Sequence, residues 1–106
     1  MTTNLTESNI DSAVLQAPGT HVIRFWASWC KPCTMILPLY LAIAEELKDQ
    51  AHFAEVDIDQ QGPLAARFGI RSIPTIVIVK EGQAVDGNVG LMDKGRLREL
   101  VTRNLA

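Results

Sequence analysis

The chain has 106 residues, 47% hydrophobic and 21% charged, with a formal net charge of −2. That length gives one domain over residues 1–106 with a core able to fold without metals or staples, and leaves no room for a second core. The mild acidity excludes the Lys and Arg excess that nucleic-acid binders use to displace counterions, and no window approaches the roughly 18 apolar residues of a membrane span. The start of the chain, "MTTNLTESNIDS", lacks the apolar segment of a signal peptide. The expectation is a cytoplasmic monomer that binds neither nucleic acid nor membrane, in a compartment where thiols stay reduced. Asn4-Leu5-Thr6 matches a glycosylation sequon, which without secretion is a coincidence.

In chain order, an extra strand is expected near residues 2–6, and "NIDSAVLQA" (9–17) predicts a short helix stopped by Pro18-Gly19. "HVIRFWA" (21–27) is β-branched and aromatic on both alternating faces, as a central buried strand would be. Residues 31–49 carry helical periodicity, with Ile36, Leu39, Tyr40, Ile43 and Leu47 on one face and Pro38 inside, where it should bend the helix. "HFAEVDI" (52–58) predicts a strand, and "PLAARFG" (63–69) a short helix ended by Gly69. "TIVIVKEGQAVDGNVG" (75–90) predicts two antiparallel strands about a Glu81-Gly82 turn. The last segment, about 93–104, is an amphipathic helix with Leu97, Leu100, Val101 and Leu105 on its apolar side. Its basic residues Lys94, Arg96, Arg98 and Arg103 read as a solvated face. Helices between successive strands give parallel crossovers and the late hairpin an antiparallel pairing, hence an α/β fold with a mixed sheet.

Cys30 and Cys33 have three readings. As zinc ligands they are half of a four-ligand site, and His21 and His52 are isolated and wrongly spaced to complete it, so no metal is expected. As a staple they close a ring so short that loop entropy credits it with about 2 kcal/mol, which a full-sized core does not require. As a reactive dithiol they suit their context. Cys30 follows a buried strand at a helix start, where unpaired N–H groups favour the nucleophilic thiolate. Cys33 lies one turn on, Pro32 fits a first turn where its missing N–H costs nothing, and Lys31 adds a positive charge. The residues favour the dithiol.

"FWASWCKPC" resembles the active-site segment of the thioredoxin family, whose pattern is Trp-Cys-Gly-Pro-Cys. "GIRSIPT", "PTIVIVKEGQ" and "VGLMDKGRLRELVTRNLA" resemble that family's C-terminal half in content and spacing, so the likeness spans essentially the whole chain. The resemblance implies a central mixed sheet of four or five strands flanked by about four helices. It implies a protein-disulfide reductase with no bound cofactor beyond the Cys30–Cys33 disulfide, protein disulfides as substrates and a thioredoxin reductase as electron donor. Cys30 would attack the substrate and Cys33 would resolve the mixed disulfide. Pro74, which on its own reads as a turn proline, would follow a cis bond from Ile73 and lie against the sulfurs, freeing the Ile73 backbone to pair with an extended substrate. Trp29, Pro32, Ile73, Pro74, Val89 and Gly90 would form an apolar docking surface, with Trp26 packed behind it.

Two positions depart from the family pattern. Lys31 stands where glycine is usual, and Arg24 stands where typical members bury an aspartate that helps move the second cysteine's proton. The residue matching the family's facing lysine is Glu55, so the two charges have exchanged places. A buried unpaired arginine is costly, so Arg24 and Glu55 are expected to pair beneath Cys33; the alternative is an arginine that curls out to solvent. A positive charge some 6 Å from a thiolate, at an effective dielectric near 20, contributes roughly 2–3 kcal/mol, from which Glu55 subtracts. The expectation is a more oxidising protein than an ordinary thioredoxin. A partner-dedicated oxidant or isomerase, and a non-catalytic binding module on the same fold, are the alternatives.

Overall fold

The computed structural model describes residues 2–105. Five strands, β1 (Thr3–Asn4), β2 (Thr20–Trp26), β3 (His52–Asp57), β4 (Thr75–Lys80) and β5 (Gln83–Val89), form one sheet in the order β1-β3-β2-β4-β5. The β1–β3 and β3–β2 pairs are parallel, and the β2–β4 and β4–β5 pairs antiparallel. Three α-helices, α1 (Lys31–Glu46), α2 (Gly62–Arg67) and α3 (Lys94–Thr102), and one π-helical turn (Asp11–Leu15) cover its faces. The sheet is mixed because parallel partners need a covering helix between them, whereas β4 and β5 are joined by two residues.

The alternation along β2 divides the core in two. Val22 packs with Tyr40, Ile43, Phe53, Ile76 and Leu97 on the α1 and α3 side. Ile23 and Phe25 pack with Val14, Val56, Leu64 and Val77 on the other. By the same period of two, Arg24 falls on the Val22 side, where it is buried.

Several element ends differ from the sequence expectation. The first helix contracts to a π turn in which Gln16 N–H donates to Asp11 at 2.8 Å, and Gly19 turns away with φ 93°. Helix α1 stops at Glu46 rather than 49, because Gln50 and Ala51 N–H both turn back onto the Leu47 carbonyl, delivering buried Ala51 to β3. Asp93 lies outside α3 as its N-cap, accepting from Arg96 N–H at 2.8 Å. At the hairpin, Glu81 and Gly82 both have positive φ (51° and 76°), the type I′ geometry that matches strand twist. One step on, the pairing slips from Ile78–Asp86 to Val79–Ala84, leaving Val85 as a bulge.

Two expectations are corrected by packing. Lys94, Arg96 and Arg103 are exposed and Arg98 is half-buried, and two of these four residues are paired as well as solvated. Arg98 grips Glu46 of α1 with two bonds at 2.5 and 2.8 Å, and Arg103 grips Asp86 of β5 at 2.9 and 3.1 Å. His21 and His52, isolated in sequence, are partners across β2 and β3, with rings stacked at 4.8 Å.

His21 is buried, its Nε2 lying 3.1 Å from the Pro18 carbonyl. Burial, reinforced by the charge of His52 and opposed by the Ala17 and Pro18 carbonyls, holds its pKa below the ordinary 6.5. The fold therefore favours the neutral ring, and the stability this contributes is present above pH 6.5 and lost as pH falls below it. Denaturant midpoints should drop on acidification through that range, and the drop should shrink in His21→Gln; an unchanged pH slope in that variant would remove His21 as the cause.

Candidate active site

Strand β2 ends at Trp26, and a short loop returns so that Cys30 N–H donates to the Ala27 carbonyl at 3.1 Å. This places Cys30 at the N-cap of α1, with Lys31 and Pro32 exposed in the first turn. A side-chain oxygen ordinarily caps such a helix; here Cys30 Sγ does so, accepting Cys33 N–H at 3.2 Å. The two cysteines are joined in a disulfide with Cα atoms 5.3 Å apart, well within reach of the bond. Cys33 is 1% exposed and Cys30 5%, so Cys30 is the more open of two well-covered sulfurs. In the reduced form the N–H now on Cys30 Sγ would favour its thiolate.

The neighbouring loop brings the other residues in. The Ile73–Pro74 bond is cis, and Ile73 packs on the cysteine cluster together with Trp26 and Ile58. Gly90 N–H donates to the Pro74 carbonyl at 2.8 Å with φ 92°, a conformation glycine adopts without penalty, and this carries Val89 to the same loop. Val89 and Leu91 are exposed, and Trp29 is 67% exposed. Trp29 is nonetheless fixed, since its Nε1–H donates to Asp59 at 2.9 Å. Asp59 carried no signal in the sequence beyond being an acid after a strand.

Beneath Cys33, β2 and β3 run in register with Arg24 opposite Glu55. Arg24 is 3% exposed. Its Nε donates to Glu55 Oε1 at 3.0 Å, its Nη2 pairs with the same oxygen, and its Nη1 donates to the Cys33 carbonyl at 3.0 Å. The arginine does not curl out to solvent. Its guanidinium carbon lies 5.5 Å from the Trp26 ring and 5.8 Å from that of Tyr40, so two aromatic faces and one carboxylate surround the cation. Tyr40 is held in turn by its hydroxyl, which lies 2.7 Å from the Ala54 carbonyl and 3.1 Å from that of Val22. Burial, aided by the negative charge of Glu55, pushes this phenol well above its usual range, so it stays a donor. A cleft of about 310 Å³ adjoins the pair, lined by Trp26, Cys33, Thr34, Leu37 and Leu41.

The helical spacing of Tyr40 predicts its burial, whereas its contact with Arg24 depends on the packing of α1 on β2. Thr2, whose hydroxyl donates to Glu55 Oε2 at 2.6 Å, had no signal at all. Among the described residues no cluster of three or more His, Cys, Asp or Glu could hold a metal ion.

A strand, a dithiol at a helix start and a cis-proline loop set against it define a thiol–disulfide exchange site, and comparison with known proteins gives the same class. The family model described as Thioredoxin matches residues 1–103. Among curated proteins, the chain is 34% identical to a thioredoxin of Rickettsia prowazekii over 99% of this chain and 100% of the relative. It is 36% identical to a thioredoxin of Staphylococcus saprophyticus over 95% of each. The chain belongs to the thioredoxin family and is a thiol–disulfide oxidoreductase of the protein-disulfide reductase type.

The ion pair makes a stability prediction. Glu55→Gln leaves a buried guanidinium without its counter-charge and should cost about 3 kcal/mol, whereas Arg24→Met with Glu55→Leu replaces both charges and should recover most of that loss. Urea denaturation of the three chains tests it; equal stability of Glu55→Gln and wild type would mean the pair is not desolvated.

Proposed function

We propose that Cys30 is the attacking and Cys33 the resolving cysteine of a general protein-disulfide reductase. The observation that carries the assignment is the cap itself: Cys30 Sγ, the more open sulfur, sits where the helix offers it an N–H. The Cys30 thiolate attacks one sulfur of a substrate disulfide, and the other leaves as a thiolate that takes a proton from water. Cys33 then attacks Cys30 Sγ, forming the intramolecular disulfide and releasing the reduced substrate. Two electrons from a thioredoxin reductase would restore the dithiol, with no cofactor or metal bound to this chain. Pro74 supports the sulfurs, the Ile73 backbone receives the substrate strand, and Trp29, Pro32, Val89 and Gly90 supply the docking surface. The protein would act as a single-domain cytoplasmic monomer without nucleic-acid or membrane partners.

Reduction of insulin disulfides with dithiothreitol should be lost in Cys30→Ser, and Cys33→Ser should accumulate mixed disulfide. A Cys30→Ser chain that keeps full biological activity would instead indicate a binding module. Turnover with dithiothreitol but none with thioredoxin reductase and NADPH would favour a partner-dedicated oxidant or isomerase.

Arg24 and Lys31 place positive charge near the two sulfurs, opposite in sign to the family's usual buried carboxylate. Charge of this sign favours thiolate and hence the reduced form. Glu55 offsets part of it, and Arg24 cannot itself accept a proton. The potential should therefore lie above that of a thioredoxin carrying Cys-Gly-Pro-Cys, and Arg24→Asp with Glu55→Lys should lower it toward that value. A redox titration giving an equal or lower potential for the unaltered chain refutes the electrostatic role.

A further inference from the structure

The bonds of the buried arginine lead further than its charge. Arg24 Nε and Nη2 are both committed to Glu55 Oε1, which fixes the guanidinium plane and aims Nη1 at the Cys33 carbonyl. The other carboxylate oxygen, Oε2, is turned the opposite way and receives the Thr2 hydroxyl at 2.6 Å. Thr2 leads directly into β1, whose Asn4 lies opposite Glu55 in the parallel register. A continuous run of hydrogen bonds thus begins at the edge strand, passes through a carboxylate and a guanidinium, and ends on the backbone of the second cysteine. With both oxygens of Glu55 held by donors, the carboxylate serves as the anchor of Arg24.

The place where the run ends matters. Cys33 lies in the first turn of α1, and five residues on, Pro38 removes the N–H that would close the Thr34 carbonyl within the helix. The opening turns of this helix are therefore held less firmly by their own ladder, and a charged donor on the Cys33 carbonyl supplies an outside hold. We propose that Thr2 and Arg24 are positioning residues for the resolving step, and that β1 is a remote part of the active site. The proposal rests on the dithiol-exchange reading above.

In that step the Cys33 thiolate attacks Cys30 Sγ of the mixed disulfide. The Cys30–Cys33 bond forms, the bond from Cys30 to the substrate breaks, and its electron pair leaves on the substrate sulfur, which takes a proton from water. The structure holds the disulfide that is the product of this step, so the Arg24 bond to the Cys33 carbonyl belongs to the arrangement in which the two sulfurs meet. Holding the turn there raises the fraction of time the thiolate is in line. Lysine keeps the charge but lacks the fork that reaches Glu55 and Cys33 together.

The reduced full-length chain can be mixed with the aryl disulfide dithiobis(nitrobenzoate), whose first released thiol reports attack by Cys30 and whose second reports attack by Cys33. Thr2→Val, which keeps the shape and drops the hydroxyl, and Arg24→Lys should each slow the second release by about tenfold, since each loses a bond with one ionised partner. The first release should change by less than about twofold in both, because each variant keeps the positive charge and loses only the hold on the Cys33 turn. Thr2→Ser should restore the second release. Should Arg24→Lys fail to fold, the comparison of Thr2→Val with Thr2→Ser decides the matter. The proposal is overturned by an unchanged second release in Thr2→Val, by Thr2→Ser being as slow as Thr2→Val, or by both releases slowing together. A wild-type chain that releases no thiol overturns the exchange reading itself, and this proposal with it, whereas a normal first release with an unchanged second overturns the positioning alone.

Discussion

Strand β2 is buried on both faces at the centre of the sheet, and that confinement governs what lies around it. One face of the strand meets α1 and α3, and the other meets the π turn and α2. A charged residue on such a strand must find its partners within a few ångströms or disrupt the core. Parallel register supplies the carboxylate of Glu55 on the neighbouring strand, and the packing of α1 supplies the ring of Tyr40. The same strand ends where α1 begins, so whatever satisfies Arg24 also borders the dithiol.

The site combines two kinds of electrostatic support that differ in origin. The N–H received by Cys30 Sγ comes from helix geometry and would be present with any residue at position 31. The charges of Arg24 and Lys31 come from side chains particular to this sequence. The first is common to any dithiol at the start of a helix, and the second is particular to this chain and carries the proposal that its potential is raised. Glu55 and two aromatic rings enclose Arg24 and balance part of its charge, while Nη1 donates to the Cys33 carbonyl.

At the opposite end of β2 and β3 the sheet uses a different solution for buried polarity. Burial lowers the pKa of His21 and backbone carbonyls lie against its ring nitrogen, while its stacking partner His52 lies exposed. An arginine cannot shed its charge and so requires a carboxylate, whereas a histidine can lose its proton and requires none. The two ends of one strand pair thus show both ways of placing nitrogen bases in a core.

The sequence by itself determined the order of elements, the central place of β2, the hairpin turn at Glu81-Gly82 and the dithiol at a helix start, because each is written in local periodicity, turn chemistry or short spacing. It also singled out Arg24, since a charge in an apolar run is conspicuous in one dimension, whereas Glu55 was matched to it only through the resemblance to the thioredoxin family. What only the tertiary structure decided were contacts between elements distant in the chain: the cage of Trp26 and Tyr40, the Thr2 hydroxyl on Glu55, the Asp59 bond that fixes Trp29, the stacking of His21 on His52, and the ties of Arg98 and Arg103. The physical reason is that hydrogen bonds and ring contacts act over a few ångströms, and which side chains come that close is set by register and helix packing.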